Sequence, residues 1–240
     1  MVSQLHVQIQ ENGFTILHGV FGQASINKWI ERLDKVFETQ PETIKNRQGA
    51  VYAARNILSL IPECRNLALN PVLNELLTET LGPNFGVVRG LYFDKHPNQS
   101  WTLPWHKDLT IAVKDNSLRT SQFSKPTTKN GVPHVESSAE VLSQMLTLRI
   151  HLDRVTEENG PLEVAIGSHL SGKEVSDNHR PTKILADAGD VLAMRPMISH
   201  ASGSSSSGTK MHRRILHLEF AANRNLPDGF EWFQFLQPGG

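Results

Sequence analysis

The tetrapeptide Trp105-His106-Lys107-Asp108 carries the residue types best suited to chemistry in this chain. On an extended strand alternate side chains share a face, so His106 and Asp108 project together while Lys107 points away. An imidazole and a carboxylate side by side supply two ligands of a metal site. A second imidazole is available downstream, in Met197-Ile198-Ser199-His200-Ala201-Ser202-Gly203, where small residues let a ligand approach closely. Two histidines and one carboxylate on one side of a metal leave the opposite positions open, as non-haem Fe(II) oxygenases require. A His-x-Asp pair also occurs in surface loops and plain hydrogen-bonded pairs, so its surroundings decide its meaning.

The chain has 11 histidines, and most are placed elsewhere by their context. His6 and His18 fall in the N-terminal region. His96, His169, His179 and His212 fall in turns or polar loops, and His151 and His217 lie inside strand patterns, where a core role is ordinary. His134 stays a candidate for substrate contact, together with two arginines that interrupt apolar strands, Arg89 and Arg149. A charge inside such a strand must find a partner or a ligand.

The elements that must hold these residues follow from periodicity. Gly13 to Leu17 reads as a short strand. Ile26, Ile30, Leu33 and Phe37 recur at helical spacing over residues 23–38. A polar stretch from Glu42 to Gly49 precedes a second helical region over 62–81, whose stripe is Leu69, Val72, Leu73, Leu76, Leu77 and Leu81, stopped by Gly82-Pro83. From Phe85 onward the pattern is of short strands, 85–93, 145–153, 191–195 and 213–221, punctuated by Gly, Pro and Asn turns. Lys95-His96-Pro97-Asn98 reads as a turn, and Asn159-Gly160 as the turn of a hairpin. Pro104 puts the His106–Asp108 pair near a strand start or a sheet edge rather than mid-sheet. Residues 114–139 lack a period and read as a lid-like insertion. The aromatic tail, Phe230, Trp232, Phe233 and Phe235, is expected to pack across the barrel.

Composition narrows the classes further. A chain of 240 residues fits one β-rich domain, with residues 1–84 as mostly helical support and 85–222 as the core. Its 24 basic and 24 acidic residues give no footprint for nucleic acid or an acidic membrane. The single Cys64 allows no intramolecular disulfide. The opening residues lack the apolar core of a signal peptide, and no apolar run reaches the ~20 residues of a membrane span. These features point to a soluble, cytoplasmic protein, with no obligate protein partner evident.

Several of these segments, in this order, resemble the phytanoyl-CoA dioxygenase family. They are Trp105-His106-Lys107-Asp108, Leu146 to Asp153, Glu158 to Val164, Gly167-Ser168-His169, the His200 turn, and Arg213 to Phe220. The resemblance implies a mainly β fold with flanking α-helices, a double-stranded β-helix of the jelly-roll, cupin-like barrel type. It implies Fe(II) held by His106, Asp108 and His200, with 2-oxoglutarate as cosubstrate and O2 as oxidant. The distal carboxylate of 2-oxoglutarate calls for a planar cation. The family pattern puts that cation at Arg213, with Arg214 as the alternative, since only one of the two can face inward. It also matches Ser202 to a hydroxyl that bonds the same carboxylate. Because Asp108 keeps the carboxylate that related halogenases lack, the resemblance implies hydroxylation of an unactivated C–H bond, with release of succinate and CO2. Two other classes fit the histidines alone: a cupin-type metalloenzyme that does not use 2-oxoglutarate, and a non-catalytic ligand-binding barrel.

Overall fold

In the computed structural model residues 2–40, 44–47, 50–97, 100–175 and 180–240 are described. The chain begins with α1 (Val2–Asn12), β1 (Phe14–Leu17) and α2 (Gln23–Thr39), followed by β2 (Ile44–Arg47) and β3 (Ala50–Ala54). A short α3 (Ile57–Leu60) and a 3-10 helix over Pro62–Leu69 lead to α4 (Pro71–Leu81). Then come β4 (Gly86–Lys95), β5 (Leu103–His106), β6 (Thr110–Ala112), β7 (Phe123–Lys129), β8 (Val132–Ser137) and α5 (Ala139–Ser143). The last strands are β9 (Met145–His151), β10 (Leu162–Ala165), β11 (Pro181–Ile184), β12 (Val191–Met194), β13 (His200–Ser202) and β14 (Arg213–Ala221).

Seven strands form one large sheet in the order β1-β12-β9-β14-β4-β3-β2, and four form a smaller one, β11-β10-β13-β5. Neighbouring strands run antiparallel throughout. The two sheets do not close into one hydrogen-bonded barrel, so the expected jelly-roll is an open sandwich. Period-two alternation gives the large sheet two different faces. Leu146, Leu148 and Ile150 of β9 and Leu216, Leu218 and Phe220 of β14 belong to one core with the helices, including Ile26, Leu33 and Phe37 of α2 and Leu73, Leu76 and Leu77 of α4. The other face meets the small sheet through Leu162, Val164, Ile184, Leu192, Met194 and Ile198. The same inner face carries the charged residues, and the site lies there.

The helices buttress the sheet as their periodicity indicates. Asn70 caps α4 by accepting from the Val72 backbone N–H at 3.1 Å, and Pro71 occupies the first helical position. That cap divides the expected 62–81 helix into a 3-10 segment and α4. It also leaves Leu69 and Val72 exposed rather than in the buried stripe.

Three loop readings change. The polar stretch before α3 holds the β2–β3 hairpin, which extends the large sheet through β4, so residues 1–84 contribute strands as well as helices. The segment read as an aperiodic insertion holds β7 and β8, which join β6 in a three-stranded sheet. Their turn is Asn130-Gly131, with φ of 47° and 75°, as a type I′ hairpin demands. β7 is exposed at five of its seven positions, which erased any apolar alternation. Asn159-Gly160 makes no hairpin: it carries the chain from the large sheet to β10, whose partners are β11 and β13. The aromatic tail does pack inward, with the Phe230 ring 4.2 Å from that of Phe123 and Trp232 buried. Asn98 and His179 lie outside the described residues. Among the described residues no helix is long and apolar enough to cross a membrane.

Candidate active site

β5 is the edge strand of the small sheet, and it pairs with β13 so that His106 stands opposite His200. The two rings are 4.2 Å apart between centroids. Asp108 follows just past the end of β5, where its backbone N–H donates to the Pro196 carbonyl at 3.0 Å. Its Oδ2 is 3.7 Å from His200 Nε2, and the ligand atoms of His106, Asp108 and His200 all lie within 4.8 Å of one another. Lys107 points the other way: its buried ammonium donates to the Ser168 and Gly172 carbonyls, both at 2.7 Å, and to Ser171 Oγ at 3.0 Å. His200 sits on its own short strand, separated from β12 by a turn.

Each imidazole is oriented from behind. His106 Nδ1 donates to the Pro104 carbonyl at 2.8 Å and His200 Nδ1 to the Ile198 carbonyl at 3.0 Å. A carbonyl only accepts, so the proton is on Nδ1 and the Nε2 lone pair is left free, the usual preparation of a metal-binding histidine. Burial pushes the His200 pKa down to about 4, which keeps that lone pair available at neutral pH. Burial alone would raise the Asp108 carboxyl, but His200, His217, His106 and Arg89 outweigh it and hold Asp108 ionised. Two imidazoles and one carboxylate form a nitrogen/oxygen donor set that fits Fe(II) with positions left open.

Beside this triad lies a buried cluster of unusual charge. Arg213 is 2% exposed and makes no hydrogen bond or ion pair among the described residues; its Nε is buried without a partner. Burial, then the nearby Arg149, pull its pKa down to about 9, against Asp94. Arg213 stands opposite Lys95 in the β14–β4 register. The fully buried Lys95 donates to the Gly160 carbonyl at 3.3 Å, to Ser202 Oγ at 3.2 Å and to the Gly203 carbonyl. The Trp101 ring lies against both cations, 4.8 Å from Lys95 Nζ and 5.8 Å from the Arg213 guanidinium carbon. Arg214 faces the opposite side and grips Asp153 in a bidentate pair at 2.6 and 2.9 Å. It does not reach the cluster.

A buried polar chain runs along the inner face next to the triad. Arg149 Nη1 donates to His217 Nδ1 at 3.1 Å, His217 Nε2 donates to Glu219 Oε1 at 3.1 Å, and Arg89 Nη2 donates to the same oxygen. Glu219 thus answers the question that Arg89 posed in the sequence. His134 is buried on β8, with Nδ1 donating to the Val132 carbonyl at 2.9 Å and Nε2 without a partner. Burial lowers its pKa to about 4, so Nε2 is an acceptor. Lys95, Trp101, His217 and Glu219 were missed by sequence reasoning. Three of them had a signal: Lys95 continues the Arg89-Leu91-Phe93 alternation, and His217 and Glu219 alternate with the apolar Leu216, Leu218 and Phe220.

An antiparallel sandwich that brings two facing imidazoles and a carboxylate together has the donor set of a non-haem metal site. The family model for phytanoyl-CoA dioxygenase (PhyH) matches residues 9–215, and the chain belongs to that family of iron- and 2-oxoglutarate-dependent oxygenases. L-proline trans-4-hydroxylase of Streptomyces griseoviridis is 22% identical over 257 residues, covering 92% of this chain and 87% of that one. The iron-bound structure of EctD from S. alaskensis superposes with a TM-score of 0.70 at 15% identity, covering 98% of this chain and 79% of that one. EvdMO1 superposes at 0.65 with 20% identity over 92% of this chain, which spans 50% of that longer one.

Proposed function

We propose that this protein hydroxylates a C–H bond of a small organic substrate, with His106, Asp108 and His200 as the Fe(II) ligands and Arg213 and Ser202 as the anchor of 2-oxoglutarate. When bound, iron couples reduction of O2 to conversion of 2-oxoglutarate into succinate and CO2, and so supplies the oxidising power. The residues supply placement. The Pro104 and Ile198 carbonyls aim both Nε2 atoms at one point, and Lys107 pins the backbone between His106 and Asp108. Lys95, by donating to Ser202 Oγ, turns the hydroxyl proton of Ser202 toward the pocket where Arg213 waits. Phe93 and Trp101 line the neighbouring wall, their rings 6.4 Å apart, and help exclude water, which strengthens every charge interaction there.

The observation that carries this reading is an unpaired, buried Arg213 set beside a preformed two-histidine, one-carboxylate cluster. A cation with no counter-ion among the described residues calls for a dianion that also reaches a metal. The free, buried Cys64 suits the reducing cytoplasm, where we place the reaction. Anaerobic titration tests the reading directly. One Fe(II) per chain should bind, more tightly with 2-oxoglutarate present, and Asp108→Ala should weaken binding at least tenfold. Iron binding with no dependence on 2-oxoglutarate, and no succinate formed in air, would instead select a cupin-type enzyme that acts without it.

A further inference from the structure

The inner face of the large sheet carries more positive charge than the reaction proposed above uses. Arg89 is matched by Glu219. Arg213 awaits the distal carboxylate of 2-oxoglutarate, and Lys95 is satisfied by three neutral acceptors. Asp108 is committed to the metal, where it and the chelating end of 2-oxoglutarate offset the two charges of Fe(II). Arg149 remains. It is 7% exposed, and among the described residues it has no carboxylate partner. Burying a guanidinium with no anion is expensive, and such a charge persists where a ligand completes it.

The geometry says which kind of anion. Arg149 Nη1 is taken by His217 Nδ1, and the ring is held in turn by Glu219, so the guanidinium plane is fixed from one side. Nε and Nη2, which form the side-on edge of the fork, have no protein partner among the described residues. That is the edge with which Arg214 grips Asp153. A free side-on edge matches two carboxylate oxygens. A second observation comes from Thr147, two residues earlier on β9 and on the same face. Thr147 is 1% exposed and its hydroxyl is buried with no partner. In register, Arg149 lies beside His217 and Thr147 beside Glu219. Arg149 is also close to the metal ligands: Asp108 is the acid whose charge acts on it, and its own charge acts on His200.

We propose that Arg149 anchors a carboxylate of the primary substrate, gripping it side-on through Nε and Nη2 with the Thr147 hydroxyl as a further donor. This rests on the oxygenase reading and narrows its substrate to small carboxylic acids. The anchor fixes one end of the substrate on the sheet, and the C–H bond to be oxidised is held over the triad. Neutral analogues are rejected because they leave Arg149 buried and unpaired.

The test uses the full chain loaded with Mn(II) in place of Fe(II), saturated with 2-oxoglutarate and titrated calorimetrically. The probes are the free L-amino acids, proline among them, and simple monocarboxylic acids, each paired with its carboxamide. Acids should bind at least tenfold more tightly than their amides. Arg149→Met should erase that preference, leave the affinity for 2-oxoglutarate within twofold, and raise the melting temperature of the ligand-free protein by removing a buried unpaired charge. Arg149→Lys, which keeps the charge and loses the fork, should bind acids more weakly than wild type yet still prefer them to amides; loss of that preference in Arg149→Lys counts against an electrostatic anchor. The proposal is overturned if wild type does not distinguish acids from amides. It is also overturned if Arg149→Met weakens 2-oxoglutarate binding as much as loss of Arg213 does, which would assign Arg149 to the cosubstrate. A fall in ligand-free melting temperature would make it a structural residue. Failure of wild type to bind Mn(II) and 2-oxoglutarate together would be a failure of the oxygenase reading instead.

Discussion

Arg213 offers the sharpest test of the cosubstrate site, because its neighbour provides an internal control. The two arginines are adjacent in sequence and opposite in circumstance. Arg213 is 2% exposed and meets no anion among the described residues, whereas Arg214 is bound at two points to Asp153. Removing a buried cation that pairs with a ligand carboxylate costs about 2–5 kcal/mol of binding, much of it from the charge left uncompensated. At about 1.4 kcal/mol per decade, that spans roughly thirtyfold to a few thousandfold in Kd. Lys95 and Ser202 remain in the pocket and soften the loss, so the lower half of that range, about a hundredfold, is expected for Arg213→Met. Calorimetry of 2-oxoglutarate against the Fe(II)-loaded, oxygen-free protein measures it, and Trp101 beside Arg213 gives a second, fluorescent readout. Iron affinity without 2-oxoglutarate should stay within about threefold of wild type, since Arg213 is not a ligand. Arg214→Met should leave 2-oxoglutarate binding intact and lower stability by about 1–3 kcal/mol, the cost of stripping a partner from a half-buried ion pair. The reasoning is refuted if Arg213→Met binds 2-oxoglutarate as wild type does, and the anchor moves by one residue if Arg214→Met alone loses it.

Three further outcomes follow from the same geometry. Lys95→Met removes the donor that orients Ser202 and should raise the Kd for 2-oxoglutarate about tenfold, one hydrogen bond's worth, without changing iron affinity; an unchanged Kd would leave Lys95 with packing alone. Gly160 has φ of 65°, and a Cβ there would lie 2.6 Å from the Gly203 carbonyl oxygen and 2.9 Å from Lys95 Nζ, so Gly160→Ala should destabilise the protein by about 2 kcal/mol or more in denaturant titration. Burial lowers the His151 pKa to about 4, with Arg149 adding to the effect. The unfolded chain therefore binds the proton first as pH falls below about 6.5, and stability contributed by the neutral ring is lost between there and pH 4, up to about 3 kcal/mol. His151→Gln should flatten that part of the metal-free stability profile, and an unaltered slope would contradict the assignment.

How much of this was legible beforehand depended on the range of the interaction. The helices α2 and α4, the strands β4, β9 and β14, and the rule that only one of Arg213 and Arg214 faces inward rest on period and alternation, which are local and survive in sequence; the preference for Arg213 came from the family pattern. Motif order supplied His106, Asp108 and His200 together with the family. The β7–β8 hairpin was hidden although its Asn-Gly turn was in plain view, because a strand exposed on most positions need not alternate. Tertiary structure alone decided the rest. That His106 stands opposite His200 is a matter of β5–β13 register, and a slip by one residue would turn one ring away from the other. That Arg89 meets Glu219 while Arg149 and Arg213 meet no carboxylate among the described residues depends on strands distant in sequence becoming neighbours in the sheet. Residue types name the charges a chain carries; only the sheet order determines which of them meet, and so which are left for ligands.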